Sequence, residues 1–169
     1  MQPLSRMKKT TLNLSTVTDR RKSIENICLR LLARREHSQR ELLDKLALRG
    51  FTRQEVMPVI DQLVEQHWQD DQRFADSYIR QRLASGYGPL RISYELQQRG
   101  VPPIDLDEKV EELGGWQDLL LQVYGNKYDD ETSLSPNEWQ KRSRFLQQRG
   151  FTGASIKQLF DELKIKLYQ

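Results

Sequence analysis

The chain of 169 residues is polar, with 37% hydrophobic and 30% charged residues, a mean hydropathy of -0.76 and a net charge of +3. No apolar run approaches the ~20 residues that a membrane span needs, which argues against a membrane protein. The single cysteine, Cys28, excludes an internal disulfide framework and a cysteine-rich zinc site. A single cysteine fits a reducing, intracellular compartment, and a secreted protein without disulfides would have the same pattern.

The positive charge is concentrated at the amino terminus. Residues 1–22 carry a formal charge of +5, whereas the remaining 147 residues sum to -2. Tight DNA binding needs clustered lysine and arginine, so the body of the chain shows little sign of it. The first residues also lack the apolar core and cleavage site of a secretory signal. We therefore predict a disordered basic arm over 1–22 that adds weak, non-specific affinity for DNA. The basic, hydroxyl-rich and acid-poor composition of residues 1–18 also resembles a transit peptide, which is the alternative.

The rest of the chain repeats at a spacing of 50 residues. Arg-Gly pairs begin at positions 49, 99 and 149, and a leucine stands four residues before each glycine. Apolar residues recur 6, 10 and 13 residues after each glycine, which places them on one face of a helix. Another apolar helical stripe precedes each pair of helices. The sequence thus predicts an all-α, elongated tandem array of three three-helix repeats, spanning 23–70, 71–115 and 116–169.

The Arg-Gly pairs are interpreted as structural. Glycine accepts the left-handed conformation after a helix, and arginine suits the negative end of the helix dipole. We therefore predict a positive φ at Gly100. Arg142 occupies the repeat position held by Leu42 and Ile92, so we expect the third repeat to pack differently from the other two.

No pattern in the sequence predicts catalysis. His37, His67 and Cys28 do not have the spacing of metal ligands, and the known glycine-rich phosphate-binding and nucleophile motifs are missing from the sequence. We therefore expect a protein that is not an enzyme and that holds neither a metal nor a cofactor.

The middle repeat contains the candidate surface for binding a partner or DNA. Arg73 and Arg80 lie seven residues apart on one helical face, and Tyr87 stands in a turn between two glycines. Arginine and tyrosine are common anchors of binding surfaces and of stacking on single strands. The candidate residues are Arg73, Arg80, Arg82, Tyr87 and Arg91. Packing of the turn is the alternative for Tyr87, and we assign Tyr78 to the core.

Several motifs resemble those of the RecX regulatory family. The middle repeat holds Asp70-Asp71-Gln72-Arg73-Phe74-Ala75, Gly86-Tyr87-Gly88-Pro89-Leu90-Arg91-Ile92, Glu95-Leu96 and Arg99-Gly100. The outer repeats hold His37-Ser38-Gln39-Arg40-Glu41-Leu42 and Phe145-Leu146-Gln147-Gln148-Arg149-Gly150-Phe151. The resemblance covers about 23–163 and implies nothing for the basic arm.

This resemblance implies a bacterial cytoplasmic protein of tandem three-helix repeats, acting as a monomer in DNA repair, recombination and the SOS response. It implies binding to the RecA recombinase and its single-stranded DNA filament, with modulation, mostly inhibition, of the recombinase and ATPase activity. An alternative from another class is a stand-alone DNA-binding protein of stacked helix-turn-helix-like units. A protein scaffold without nucleic acid is a third.

Overall fold

The computed structural model describes residues 14–168, and it describes side chains from residue 16 onward. The chain divides into two compact units, Met1–Asp70 and Asp71–Gln169. Helices make up nearly all the regular structure of the described residues, which confirms the predicted all-α class. Within this described part, no helix is both long and apolar enough to cross a membrane.

Among its described residues the first unit contains three helices, α1 (Leu14–Leu32), α2 (Gln39–Ala47) and α3 (Arg53–Glu65). The Ser38 and Thr52 hydroxyls accept hydrogen bonds from backbone N–H groups in the first turns of α2 and α3. The apolar positions spaced for one helix face meet in a single core, formed by Ile24, Cys28, Leu42, Leu46, Val56, Val59, Ile60 and Leu63. Burial raises the pKa of the Cys28 thiol to about 11, so the group stays protonated at neutral pH.

The predicted disordered arm is wrong for its last nine residues. Because α1 begins at Leu14, residues 14–22 belong to a helix. Arg20 Nε donates to Glu55 Oε1 of α3 at 2.6 Å, so a charge attributed to the arm is paired within the first unit. The sequence pattern missed this pairing because the two residues are 35 positions apart. Residues 1–13 of the predicted arm lie outside the described residues.

The second unit contains six helices among its described residues, α4 (Asp71–Ala84), α5 (Pro89–Gln98), α6 (Asp107–Val110), α7 (Trp116–Gly125), α8 (Pro136–Gln148) and α9 (Gly153–Glu162). Two-residue strands β1 (Ser133–Leu134) and β2 (Lys166–Leu167) pair in parallel. Apolar residues of all six helices share one continuous core. The predicted boundary between 71–115 and 116–169 therefore falls inside one compact unit.

The third helix of the middle repeat is shorter than the spacing predicts. The spacing places Leu106, Val110 and Leu113 on one helical face, but α6 has four residues and a 3-10 turn over Glu111–Leu113 follows it. Leu113 is consequently 46% exposed. Gly114, with φ 83°, ends the turn in the left-handed conformation and stops the helix from continuing.

The repeated Arg-Gly pairs end their helices as predicted. Gly100 has a φ of 76°, which confirms the expected left-handed conformation. Arg49 and Arg99 each donate to a backbone carbonyl four residues earlier, at 2.7 and 2.8 Å. These two arginines therefore satisfy the otherwise unpaired carbonyls at the ends of their own helices.

Candidate functional site

The glycine-flanked turn before α5 packs directly on the turn after α8. The Gly88 N–H donates to the Arg149 carbonyl at 2.8 Å, and the Leu90 N–H donates to the Gly150 carbonyl at 3.1 Å. A Cβ at Gly88 would lie 2.5 Å from the Gly150 oxygen, so the two backbones approach too closely for a side chain. This contact fixes the start of α5 against the end of α8.

Arg149 differs from the other arginines of the Arg-Gly pairs. Its Nη1 donates to the Ser85 carbonyl at 2.7 Å and to the Gly86 carbonyl at 3.2 Å. It therefore satisfies carbonyls that follow α4, more than 60 residues away, rather than those of its own helix. The contact also brings the Arg149 guanidinium within 5.3 Å of the Tyr87 ring centroid.

Three guanidinium groups surround the Tyr87 ring. The guanidinium carbon lies 4.4 Å from the ring centroid for Arg91, 5.1 Å for Arg82 and 5.3 Å for Arg149. These distances are within the range of cation–π attraction. The Tyr87 ring is half-buried, so it both packs the turn and holds the arginines in place.

A single carboxylate links these arginines to the core. Glu95 Oε2 accepts from the Tyr78 hydroxyl at 2.7 Å, and Oε1 accepts from Arg91 Nε at 3.0 Å. Arg82 Nε lies 2.8 Å from Glu95 Oε2. Burial disfavours the charged carboxylate, but the hydrogen bonds from Tyr78 and Arg91 and the charge of Arg82 outweigh it and lower the pKa of Glu95.

We name this group the Tyr87 cluster; it comprises Tyr78, Arg82, Tyr87, Arg91, Glu95, Arg99 and Arg149. Arg99 joins it through the Tyr78 ring, with 4.5 Å between guanidinium carbon and ring centroid. The cluster holds four guanidinium groups and one carboxylate, which gives it a formal charge of +3, and Arg82 and Arg91 pair with that carboxylate. The Arg82 and Arg91 side chains are 24% and 39% exposed. The arrangement suits an anionic ligand, because guanidinium groups bind carboxylates and phosphates through paired hydrogen bonds.

The structure brings together three of the five predicted site residues, namely Arg82, Tyr87 and Arg91. Arg73 and Arg80 are exposed on α4, roughly 180° and 200° around the helix from Arg82 at about 100° per residue. They therefore lie on another face of that helix. Tyr78, which is 8% exposed, belongs to the core as expected.

Sequence reasoning missed Arg99, Arg149 and Glu95 as members of the cluster. Arg99 and Arg149 belong to the repeated Arg-Gly pairs. The sequence pattern gives them the same structural interpretation as Arg49, so it does not mark them as binding residues. One signal was available for Glu95: it lies four residues after Arg91, a spacing that favours an ion pair on a helix.

A second group of arginine and tyrosine side chains joins α7, α8 and the loop between them. The Arg142 side chain is 4% exposed, and its Nη1 donates to the Tyr124 hydroxyl at 2.7 Å. Its remaining nitrogens reach three carboxylates at 3.0 to 3.4 Å, those of Asp129, Glu131 and Glu138. Its guanidinium carbon lies 4.7 Å from the Tyr128 ring centroid. We name these six residues the Arg142 cluster; they explain why an arginine replaces the leucine or isoleucine of the other repeats.

Two family models match the chain. The model described as the first three-helix domain of RecX matches residues 26–63, and the model described as its second three-helix domain matches residues 70–108. The regulatory protein RecX of Legionella pneumophila (strain Corby) is 40% identical over 138 residues, covering 80% of this chain and 91% of the relative. That of Halorhodospira halophila is 38% identical over 136 residues, covering 80% and 84%.

Solved structures agree with the fold. The crystal structure of RecX from Lactobacillus salivarius has a TM-score of 0.68 at 19% identity and covers 88% of this chain and 99% of its own. Another crystal structure of regulatory protein RecX has a TM-score of 0.69 at 21% identity and covers 95% and 82%. The chain therefore belongs to the RecX family, whose similar members are named regulatory proteins.

Proposed function

We propose that this protein binds the RecA recombinase and its filament on single-stranded DNA in the bacterial cytoplasm. It acts there as a monomer, and it mostly inhibits strand exchange and ATP hydrolysis by RecA. Membership of the RecX family supports a regulatory rather than a catalytic role. RecA is inferred as the partner from the motifs that resemble this family. The Tyr87 cluster is the observation that supports a contact surface for it.

The charge and order of the Tyr87 cluster suit a surface made of protein and DNA. A RecA filament presents protein carboxylates and DNA phosphates, and both accept paired hydrogen bonds from guanidinium groups. Each such bond contributes about 1.5–3 kcal/mol when water is excluded from it, and far less at an exposed rim. Glu95 and the Tyr87 ring already hold Arg82 and Arg91 in position, which lowers the entropy lost when a partner binds.

Arg73 and Arg80 are proposed as a separate contact on the opposite face of α4. A double charge reversal, Arg73→Glu with Arg80→Glu, tests them without touching the Tyr87 cluster. We expect a several-fold rise in the protein concentration that half-inhibits RecA. If this variant inhibits as well as the parent, the second contact is wrong.

The function itself is tested with the unmodified protein. Binding to an oligo-dT strand is measured alone and with a preassembled RecA filament over a series of salt concentrations, and ATP hydrolysis is followed in parallel. We expect tighter binding to the filament than to the bare strand, by about tenfold or more, which corresponds to ~1.4 kcal/mol. We also expect slower ATP hydrolysis.

Failure of this test has a defined meaning. If saturating protein leaves ATP hydrolysis by RecA unchanged, the proposed regulation of RecA falls. Equal, tight binding to the bare strand with a steep dependence on salt would instead support the stand-alone DNA-binding protein.

A further inference from the structure

A groove lies between α8 and α9, and none of the residues that line it belongs to the Tyr87 cluster. It has a volume of about 630 Å³, and the residues that matter here are Trp139, Arg144, Gln147, Ile156, Lys157 and Asp161. The half-buried indole of Trp139 meets the Phe160 ring edge-to-face, with 4.5 Å between the ring centroids. The groove thus has an aromatic wall that is packed against the core.

The groove presents hydrogen-bond donors without protein acceptors. The side chains of Arg144 and Lys157 are exposed, and neither side chain forms a hydrogen bond or ion pair with another residue that the structure describes. The indole N–H of Trp139 also has no acceptor within the described part of the chain, whereas that of Trp116 donates to Asp107 at 2.7 Å.

The 50-residue repeat provides an internal comparison for this groove. The positions of Arg144, Lys157 and Asp161 carry a formal charge of +1 in the third group of helices. The equivalent positions carry -2 in the first group, where they hold Asp44, Met57 and Asp61. They also carry -2 in the middle group, where they hold Tyr94, Asp107 and Glu111. Over the whole lining the first group also has Arg40 and Arg53, at the positions of Gln140 and Gly153, so its balance is zero. Only the lining in the third group has a positive balance, which points to an anionic ligand there.

We propose that the groove between α8 and α9 binds single-stranded nucleic acid directly. Arg144 and Lys157 contact phosphates from the two opposite helices, and Trp139 meets a base. Cations beside an accessible aromatic ring are the usual combination for single strands, because every nucleotide pairs an anion with a ring. A duplex keeps its base faces stacked and offers no ring to Trp139. This proposal is independent of RecA and of the Tyr87 cluster.

The test compares two double charge reversals with the same change in net charge. Arg144→Glu with Lys157→Glu alters the groove. Arg30→Glu with Arg53→Glu is the matched control, since both arginines are exposed in the first unit and form no hydrogen bond or ion pair through their side chains with another described residue. Affinity for a fluorescein-labelled oligo-dT is measured by fluorescence anisotropy over a series of KCl concentrations.

We expect the groove variant to bind about tenfold or more weakly at low salt. Its log–log salt slope should be shallower by about 1.4, because two phosphates of the strand are no longer neutralised by the protein. The control keeps the parent slope and an affinity within about threefold. Oligo-dT should also quench tryptophan fluorescence in the parent, and quench it less in Trp139→Phe, which keeps a ring against Phe160.

Four results would overturn the proposal. An unchanged slope in the groove variant, or equal losses of affinity in both double variants, would show that no phosphates are held at these two residues. Competition by oligo-glutamate as strong as that by unlabelled oligo-dT would assign the groove to an acidic polypeptide. Equal binding of a duplex, with the same change of slope, would exclude the single strand. A groove variant that loses oligo-dT but still inhibits RecA leaves the proposed regulation standing and confirms that the two surfaces are separate.

Discussion

Two clusters in the second unit combine arginine with tyrosine, and they differ in burial and in charge balance. In the Arg142 cluster one guanidinium group, 4% exposed, faces three carboxylates. The Tyr87 cluster holds four guanidinium groups and one carboxylate, and the Arg91 side chain is 39% exposed. The same side-chain types therefore produce a buried anchor surrounded by excess negative charge in one place and an accessible positive surface in the other.

This difference shows how a structural arginine can be told from a binding one. A buried guanidinium group must have its donors satisfied inside the protein, so its partners serve stability alone. A half-exposed group that outnumbers its acids keeps donors available for another molecule. On this basis, the Arg142 cluster closes the loop between α7 and α8, and the Tyr87 cluster is the better candidate for a partner.

The largest effect on stability is expected from Arg142→Ala. The substitution removes the contacts of the guanidinium group with four polar side chains and with the Tyr128 ring. We expect the free energy of unfolding to fall by about 2–4 kcal/mol. The loss is no larger because the carboxylates left behind can reach water. Arg144→Ala, two residues further along α8 and exposed, is the control, with a change within about 0.5 kcal/mol. Urea unfolding measures the change in the free energy of unfolding for both variants. Equal changes would contradict the structural role assigned to Arg142.

A smaller loss is expected from Gly88→Ala. The new Cβ would meet the Gly150 backbone at 2.5 Å, and such overpacking costs about 1–3 kcal/mol. Gly125→Ala is the control, because a Cβ there meets nothing within 4 Å and alanine favours a helix. Thermal unfolding measures both; a Gly88→Ala variant as stable as Gly125→Ala would mean that the two turns separate easily.

Tyr78→Phe tests how much the Tyr87 cluster contributes to stability. The hydroxyl donates to Glu95 and accepts from Arg82, so its loss should cost about 1–2 kcal/mol, less than the loss of Arg142. Tyr94→Phe, at a tyrosine that is 61% exposed, should change stability by less than about 0.5 kcal/mol. If Tyr78→Phe lowers the free energy of unfolding as much as Arg142→Ala does, the Tyr87 cluster contributes as much to stability as the Arg142 cluster, which would contradict the difference between them.

The smallest effect concerns pH. The pKa of Glu95 is lowered in the folded protein from an ordinary value of 4.5. The ionised carboxylate therefore contributes stability that is fully present above pH 4.5 and is lost as the pH falls through the lowered pKa. Glu95→Gln should flatten the fall in unfolding free energy below that pH. An identical pH profile for parent and variant would contradict the hydrogen bonds assigned to Glu95.

Most helix positions and the glycine turns were predictable because they depend on local spacing, whereas the short α6 and the start of α1 were not predicted. The positive φ at Gly100 followed from the repeat, and Arg142 was recognisable as a departure from it. The rest depends on contacts distant in sequence. Arg149 bonds the Ser85 carbonyl 64 residues away, and Arg20 bonds Glu55 35 residues away. No local pattern specifies such a partner, so the sequence predicts only part of the cluster around Tyr87.

The most direct test of the Tyr87 cluster is inhibition of RecA by the variant Arg82→Gln with Arg91→Gln. Glutamine keeps an amide donor near Glu95 but removes two positive charges. The matched control is Arg30→Gln with Arg53→Gln, which removes the same charge from the first unit. We predict that the concentration giving half-inhibition of ATP hydrolysis by RecA filaments rises about tenfold or more, for ~1.4 kcal/mol of lost binding, while the helical circular dichroism signal and the control stay like the parent. A cluster variant that inhibits as strongly as the parent would contradict the account.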